Sequence, residues 1–230
     1  MKKVVLKIGG SVLYRKENMT LNVELIKEYI KLINDLYEAK HQIAIVVGGG
    51  KLARSIIHAS EILGQVATYS DILAVESTRI HALLFIASLR DKAYLLVPRS
   101  FEEVSKALST GKIVVSGGLQ PGQSTSAVSA LVAEYWGADL IINLTDVEQV
   151  FDKDPHKHPD AQPIEQMTAE ELLTIITQQQ EEPGKYDLFD RVGCEIIKRS
   201  KIKLAFTSGS NPDNVRKILK GEKIGTIVQG

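Results

Sequence analysis

Three glycine clusters, each at the end of a short apolar run, constrain this chain more than any other feature. They are KIGG at Lys7–Gly10, VVGGGK at Val46–Lys51 and VVSGGLQPGQST at Val114–Thr125, and together they hold eight of the 17 glycines. Glycine lets backbone N–H groups approach a ligand closely, and a helix N-terminus behind such a turn favours an anion. Three such corners at strand ends predict several phosphate groups held along one edge of a sheet, which indicates phosphoryl transfer.

Apolar patterning around these corners predicts alternating strands and helices. Lys3–Ile8 and Gln42–Val47 are β-rich runs, and the second is apolar on both faces, as in a covered parallel sheet. A helical spacing of apolar residues follows each run, over Asn22–Tyr37 and from Leu52 to Leu63. Further strands are predicted at Tyr94–Val97, Ile113–Ser116 and Leu140–Leu144, and further helices at Asp71–Leu89, broken at most once, and Thr125–Tyr135, capped by Ser124 or Thr125.

The second half of the chain continues this alternation with more polar connections. The pattern predicts loops at Asp152–Pro163 and Gln178–Lys185, and strands at Lys203–Thr207 and Ile224–Val228. It predicts helices at Thr168–Thr177, at Leu188–Ser200 and after Asn211-Pro212. Thr168 and Glu171 form a capping box at the start of the first of these helices. Strand–helix alternation throughout predicts a single α/β domain over residues 1–230, with an open, mainly parallel sheet between two helix layers.

The composition excludes several classes of function. Lys+Arg and Asp+Glu are both 28, so the formal net charge is zero and no global basic field favours nucleic acid or a membrane surface. The single cysteine, Cys194, excludes an internal disulfide framework and suits a reducing compartment. We find neither a signal peptide nor a transmembrane run, so a soluble cytoplasmic protein is expected.

The residues around the first two corners do not follow the common phosphate motifs. Gly50-Lys51 is followed by Leu52, which does not fit a Walker A loop, and the chain has no G-x-G-x-x-G. Lys7 precedes its glycines, where its ammonium could stabilise a transferring phosphoryl group; the alternative is a solvated strand-end lysine. Arg54, on the first turn of the next helix, could grip phosphate with its planar fork, or could be a surface arginine.

The third cluster is the most unusual of the three. Gly117, Gly118, Pro121 and Gly122 make a rigid irregular loop, and residues 123–125 then place polar groups at a helix start. Such a loop either wraps a polar ligand or is a capped connection with no ligand.

Acidic residues follow the strand at Leu140–Leu144. Asp146, Asp152 and Asp154 could bind a metal, cap turns or contact a nucleotide, although a turn-rich acidic loop is usually solvated. No metal site is predicted, because the two histidines that flank Lys157 lack partners at ligand spacing. Asp190 opens a helix, where a carboxylate is also favoured for structural reasons alone.

In order and spacing, these motifs resemble the amino acid kinase family over essentially the full chain. The matching patterns are K-x-G-G-S, V-V-x-G-G-x-x-A-R, G-G-x-x-P-G and T-[D/N]-V-x-x-V-[F/Y]-x-x-D-P. Within the family, GGGKLAR, GGLQPGQSTSAVSALVAE and GKYDLFD with IIKRSKIK are most similar to uridylate kinases of the archaeal type. The resemblance implies a sheet of about eight strands between helix layers and transfer of the γ-phosphoryl group of ATP to UMP.

The same resemblance implies roles for individual residues. UMP would lie over the N-terminal half, about 1–138, and ATP over the C-terminal half, about 139–230. Lys7 and Asp190 would be catalytic, the first neutralising the transition state and the second orienting the lysine or Mg²⁺, which phosphates and water would mainly hold. The implied ATP site comprises Lys7, Ile8, Gly9, Gly10, Ser11, Gly50, Arg54, Thr145, Asp146, Phe151 and Asp154. The implied UMP site comprises Gly49, Asp71 (to the ribose), Leu119, Gln120, Pro121, Gly122, Gln123, Ser124 and Thr125.

The chain departs from the family pattern at two places. The family usually has V-D-G-V-Y where this chain has Val147–Phe151 (VEQVF), so the turn beside the adenine pocket is expected to change and the ring at Phe151 lacks a hydroxyl. Arg191 follows Asp190, where close relatives tend to have proline. These departures bear on how the chain uses its nucleotide donor more than on the type of reaction.

Assembly and regulation are implied only by analogy. A homo-hexamer, built as a trimer of dimers with helices such as Asp71–Leu89 at the dimer contact, and feedback by UTP are expected on this basis.

Two alternatives stay open. One is another kinase of the family, acting on carbamate, an acylamino acid or isopentenyl phosphate; the last is disfavoured because His58 comes too late after Gly50. The other is a non-catalytic nucleotide- or oxyanion-binding protein, for which the loss of glycine at Gln149 is the best support.

Overall fold

A seven-stranded sheet forms the centre of the protein, in the order β3-β2-β1-β4-β8-β9-β7. The computed structural model describes residues 1–153, 158–180 and 188–230. Strands β3, β2, β1, β4 and β8 are parallel, β9 is antiparallel to β8, and β7 is parallel to β9. The strands are β1 Lys3–Ile8, β2 Gln42–Val47, β3 Val114–Ser116, β4 Leu140–Thr145, β5 Val150–Phe151, β6 Pro163–Ile164, β7 Gln166–Thr168, β8 Lys203–Ser208 and β9 Thr226–Gln229, of which β5 and β6 form a separate antiparallel hairpin.

Helices cover both faces of this sheet, as the strand–helix alternation predicts. Side chains alternate along each strand, so Val4, Leu6 and Ile8 join a core with α1, α3 and α8, while Val5 joins a second core with α4, α5, α6 and α7. The helices are α1 Val23–Glu38, α2 Gly50–Ile62, α3 Ala67–Leu89, α4 Phe101–Leu108, α5 Thr125–Trp136, α6 Ala169–Gln180, α7 Arg191–Ser200 and α8 Asp213–Lys220. Two short 3₁₀ turns lie at Gly10–Leu13 and Arg90–Lys92.

Polar side chains fix where several helices begin. The backbone N–H of Ala127 donates to Ser124 Oγ at 3.0 Å, so Ser124 rather than Thr125 caps α5. The predicted capping box is present before α6, where Thr168 N donates to Glu171 Oε2 at 2.7 Å and Glu171 N donates to Thr168 Oγ1 at 3.2 Å.

Several sequence-based boundaries are wrong. Tyr94–Val97 is not a strand: only Ala93 forms an isolated bridge, with Ile113, and the side chains of Leu95 and Leu96 are exposed, so the apolar run has no sheet to enter. The short helix α4, capped by Ser100, was not predicted.

The remaining differences concern the helix limits and the strand count. Helix α3 begins four residues before Asp71 and is unbroken, and α7 begins only at Arg191 because Asp190 is its cap. Helix α6 runs to Gln180, so residues 178–180 are helix rather than loop, and the rest of that predicted loop lies outside the described residues. The main sheet has seven strands where the resemblance implied about eight.

Helix α3 also has an unexpected composition. Among the described residues it is the one helix, with the turn that follows it to Lys92, that is long and apolar enough to cross a membrane. Phe85, Ile86 and Leu89 on this helix are buried in the core against the sheet. The other side leaves apolar residues exposed, among them Ile72, Ile80, Leu83 and Leu84.

Candidate active site

The three glycine corners meet at one edge of the sheet. The pairing of Ile8 with both Val47 and Leu144 aligns the carboxyl ends of β1, β2 and β4, and β3 ends beside Val46. Chain order reverses here, because β2 follows β1 on one side while β4 lies on the other. In open α/β sheets such a reversal leaves a crevice at the carboxyl ends of the strands, where ligands bind.

The first two corners pack together backbone to backbone. A Cβ built on Gly10 would lie 2.1 Å from the nitrogen of Gly50 and 2.6 Å from the carbonyl carbon of Gly48. Gly50 itself has φ of +56°, which only glycine adopts easily. Hydrogen bonds lock the corners onto the sheet, since Gly9 N donates to Leu144 O at 2.8 Å and Gly48 N donates to Ile8 O at 2.9 Å. Gly10 and Gly50 are therefore required for the close contact between these two loops.

Lys7 lies at this edge on the face of the sheet that α5 and α7 cover. It is half-buried, and it is in register with Val46 on β2 and Asn143 on β4. Its neighbour at i−2, Val5, is part of the core under α5 and α7, so the side chain of Lys7 leaves the sheet on that side.

Asp190 bridges the N-termini of two helices on the same face. Its Oδ1 accepts from Gly193 N at 2.7 Å, which caps α7, and its Oδ2 accepts from Ala127 N, in the first turn of α5, at 3.2 Å. The carboxylate is thus a helix cap and also the link between α7 and the loop that leads into α5. Both helix N-termini contribute partial positive charge at this place.

A cavity of about 340 Å³ opens beside the second and third corners. Seven of the nine residues implied for the UMP site line it, namely Gly49, Asp71, Gln120, Gly122, Gln123, Ser124 and Thr125. Leu119 instead packs against the core, and Pro121 is exposed. We call this space the acceptor cavity and residues 117–125 the acceptor loop.

Helix α3 holds the acceptor loop at three points. Asp71 Oδ2 accepts from Gly122 N at 3.0 Å, and Thr78 Oγ1 accepts from Gly118 N at 2.6 Å. Arg79, whose side chain is only 11% exposed, donates from Nη2 to Leu119 O at 2.9 Å and is held by Glu76 at 2.6 Å. Asp71 was implied by the family resemblance, whereas Thr78 and Arg79 were not predicted, because nothing in the local pattern relates α3 to a loop some 40 residues later.

A buried histidine on α3 connects the second corner to Tyr14, which ends the 3₁₀ turn after the first corner. His81 is 2% exposed; its Nδ1 lies 2.9 Å from Gly48 O and its Nε2 lies 2.9 Å from the hydroxyl of Tyr14. Since a carbonyl can only accept, Nδ1 carries the proton and Nε2 accepts from Tyr14. Burial lowers the pKa of His81, which favours this neutral ring. Sequence reasoning missed this pair as well.

The remaining residues implied for the ATP site lie along the same edge or beyond it. Thr145 Oγ1 donates to Asp146 Oδ1 at 3.0 Å, and Phe151 lies on the β5–β6 hairpin. Ile8 is buried at the end of β1, Ser11 is half-buried in the following 3₁₀ turn, and Arg54 is exposed on α2. Asp154 lies outside the described residues.

The turn before the β5–β6 hairpin forms without glycine. Gln149 is not among the residues with positive φ, so the side chain costs no backbone strain there. Thr226 on β9 holds both strands of the hairpin. Its Oγ1 accepts from Val150 N at 2.8 Å and donates to Ile164 O at 2.5 Å.

One further group at this edge was not predicted. Gly209 follows β8, and its N–H donates to Thr145 O at 2.7 Å while its carbonyl accepts from the hydroxyl of Tyr29 at 2.7 Å. The sequence SGSN at the end of a predicted strand was a readable signal for this fourth corner.

Comparison with known proteins agrees with this arrangement. The sequence model of the amino acid kinase family matches residues 2–208. The chain belongs to the amino acid kinase family. It is 40% identical over 226 residues to a uridylate kinase of Methanobrevibacter smithii, covering 98% of both chains, and 38% identical over 228 residues to one of Methanocaldococcus jannaschii, covering 99% of this chain and all of that one.

Solved structures give the same result. The crystal structure of uridylate kinase from Archaeoglobus fulgidus superposes with a TM-score of 0.86 at 36% identity, over 99% of this chain and 100% of that one. UMP kinase from Bacillus anthracis has a TM-score of 0.83 at 20% identity over 99% and 96%, so it shares the fold. The expected fold, a mainly parallel sheet between helix layers, is therefore confirmed.

Proposed function

We propose that this protein is an ATP-dependent UMP kinase, which converts ATP and UMP to ADP and UDP. The observation that carries the proposal is the acceptor cavity, which opens beside two interlocked glycine corners at the strand ends where the sheet order reverses. A kinase of this family needs its phosphate donor and its acceptor brought together at such an edge. Relatives named uridylate kinase, about 40% identical over nearly the whole chain, support the same acceptor.

The chemistry requires positioning and charge more than proton transfer. An oxygen of the UMP phosphate attacks the γ-phosphorus of ATP in line, and the bond from that phosphorus to the bridging oxygen breaks, so ADP leaves with the electron pair. The attacking oxygen is already an anion, so no strong general base is required. Lys7 then stabilises charge on the transferring group, and the backbone N–H groups of Gly10, Gly49 and Gly50 hold it in place.

The two substrates occupy the two halves of the edge. UMP lies in the acceptor cavity, with Asp71 accepting hydrogen bonds from the ribose and the acceptor loop surrounding the base. ATP lies over the ends of β1, β4 and β8, towards Thr145 and the β5–β6 hairpin. This division places about residues 1–138 on the acceptor side and about 139–230 on the donor side.

Magnesium fits this donor set as an ion carried by the nucleotide. The described residues contain no group of three or more His, Cys, Asp or Glu side chains that could hold a metal ion. Mg²⁺ commonly takes its ligands from substrate phosphates and water with only one or two carboxylates. Asp190, already held by two backbone N–H groups, would orient rather than enclose such an ion. When bound, the ion would neutralise phosphate charge.

Assembly, location and regulation complete the proposal. The apolar outer side of α3 supports a contact between copies, which in this fold would belong to a dimer within a homo-hexamer. The substrates indicate action in the cytoplasm, and feedback by UTP would act at the acceptor cavity, where UTP shares the uridine of UMP.

The test is a coupled assay of ADP formation with ATP and Mg²⁺ against UMP, CMP, AMP, carbamate, acetylglutamate and isopentenyl phosphate. Strong preference for UMP is expected. Turnover only with another acceptor would keep phosphoryl transfer but refute UMP as the substrate. Absence of turnover in a folded protein that still binds ATP or UMP would refute the kinase and favour a binding protein.

A further inference from the structure

One buried polar atom near the strand ends has no partner. Asn143 is 0% exposed in the middle of β4, and its Nδ2 donates to Leu188 O at 3.2 Å. Within the part of the chain that the structure describes, its Oδ1 makes no hydrogen bond. The bond to a carbonyl fixes which end of the amide is nitrogen, so the orphan atom is the acceptor. Native proteins rarely bury an unpaired acceptor, and where they do a bound ion, water or catalytic role is the usual explanation.

The neighbour of this acceptor is Lys7. The two residues are in register on adjacent strands, and their neighbours at i−2, Val5 and Ile141, both belong to the core under α5 and α7. Side chains in register on adjacent strands leave the sheet on the same face, about 4.8 Å apart. A lysine ammonium has three donor hydrogens, so Lys7 can satisfy a further acceptor beside the contact that it already makes.

The other end of the same amide reaches the second catalytic candidate. Leu188, whose carbonyl Asn143 holds, precedes Asp190 by two residues, and Asp190 links α7 to the first turn of α5. One side chain therefore lies between Lys7 and the segment that carries Asp190.

We propose that Asn143 is a positioning residue for phosphoryl transfer: its Oδ1 accepts from the Lys7 ammonium when the donor phosphates are bound, and its Nδ2 fixes the segment before Asp190. The inference rests on the proposed kinase activity. An amide oxygen can orient an ammonium without adding a negative charge, so the lysine keeps its charge for the transferring group. Under this proposal, Asn143 Oδ1 gains its hydrogen bond when the donor phosphates are bound.

Two substitutions of nearly equal size separate this role from simple anchoring. Asn143→Leu and Asn143→Asp both lose the Nδ2–H that holds Leu188, but only the aspartate keeps an acceptor oxygen. Under the proposal, Asn143→Leu lowers kcat roughly 10- to 100-fold with little change in KM for either substrate, and Asn143→Asp recovers part of that loss. If anchoring alone matters, the aspartate variant is no better than the leucine variant, because it also buries a charge.

The measurement is steady-state kinetics with thermal unfolding of each variant. Ser129→Ala is the control, since Ser129 is also fully buried on this face, but its Oγ donates to Ser126 O within α5. It should keep the kcat of the unsubstituted protein. The proposal is overturned if Asn143→Leu has the same kcat as the unsubstituted protein. It is also overturned if the kcat of Asn143→Asp does not exceed that of Asn143→Leu.

The comparison is independent of the acceptor. It uses whichever acceptor the unsubstituted protein phosphorylates, so failure with UMP alone refutes the proposed substrate and leaves the comparison intact. An unsubstituted protein that phosphorylates none of the acceptors overturns both proposals.

Discussion

The contact between the first two glycine corners makes a sharp prediction for Gly10→Ala. The added Cβ would lie 2.1 Å from the nitrogen of Gly50, whereas ordinary Cβ contacts begin near 3.4 Å. The Cβ is bonded directly to the main chain and the Gly50 nitrogen is part of it, so neither atom can turn away as a flexible side chain could. The two corners must therefore separate by roughly 1 Å. A displacement of about 1 Å in groups that position a substrate can cost about 100-fold in rate. We expect kcat/KM with ATP and UMP to fall by about that factor or more.

Gly64→Ala is the matched control for this substitution. A Cβ on Gly64 meets nothing within 4 Å, but its φ of +69° strains any other residue by about 1–2 kcal/mol. Overpacking at Gly10, where no φ strain applies, costs about 1–3 kcal/mol. The Tm of both variants should therefore fall. In a chain of this size, each kcal/mol of lost unfolding free energy lowers the Tm by about 2–4 °C. Only the variant at the corner should lose activity.

The assay is the coupled ADP assay with thermal unfolding and circular dichroism of each variant. Gly9→Ala provides a milder substitution if the first variant does not fold, because its Cβ would approach Leu144 O at 2.9 Å. Normal kcat/KM in a folded Gly10→Ala variant would refute the idea that the two corners must touch for phosphoryl transfer.

Three further predictions address single side chains. Lys7→Ala should lower kcat by about 100- to 1,000-fold while the Kd of UMP, measured calorimetrically, stays nearly unchanged; equal losses in both would make Lys7 structural. Asp71→Ala should raise KM for UMP roughly 10- to 100-fold, because it removes one hydrogen bond to a charged group, and should leave KM for ATP unaffected. A raised KM for ATP with an unchanged KM for UMP would mean that the two substrates are assigned to the wrong halves of the site. Thr78→Val should cost about 1–3 kcal/mol of unfolding free energy in urea melts, because it leaves the buried N–H of Gly118 without its acceptor, and should weaken UMP binding; unchanged stability would show that water or another group replaces the hydroxyl.

The fold was largely predictable because its strands carry strong local signals. β1, β2 and β4 are buried on both faces, so each is a nearly continuous apolar run followed by glycine or a polar corner. Tyr94–Val97 shows the limit of that signal. The same kind of run fails to become a strand here, where, among the described residues, its pairing beside β3 is limited to the bridge of Ala93 with Ile113 and the bond from Tyr94 N to Ile113 O. Helix α4 had readable signals in its Ser100 cap and in the helical spacing of Val104, Ala107 and Leu108, but its eight residues span only about two turns.

Candidate site residues could be predicted from the sequence where they form a consecutive motif. They could not be predicted where their contacts depend on how distant elements pack. The glycine corners are recognisable motifs, and the role of Asp71 was implied by the resemblance to the family. Thr78 and Arg79 act on main-chain atoms 40 residues away, and only the docking of α3 against the loop creates those bonds. Asn143 lies between these cases. A polar residue in the middle of LIINLT was visible in the sequence, but its unpaired acceptor and its position beside Lys7 are visible only in the folded structure.

The attachment of the acceptor loop to α3 has a consequence for the diversification of this fold. The loop is held by hydrogen bonds to Asp71, Thr78 and Arg79, and these bonds end on Gly122, Gly118 and Leu119 of the loop rather than on the first two glycine corners, which we propose to hold phosphate. Under the proposed division of the site, a new acceptor is accommodated by exchanging the loop together with these three anchors, while the residues proposed for phosphoryl transfer stay unchanged. A chimera that grafts residues 117–125 together with positions 71, 78 and 79 is accordingly the smallest unit to move in an engineering experiment. Grafting the loop alone would leave its main-chain donors and acceptors facing the wrong helix.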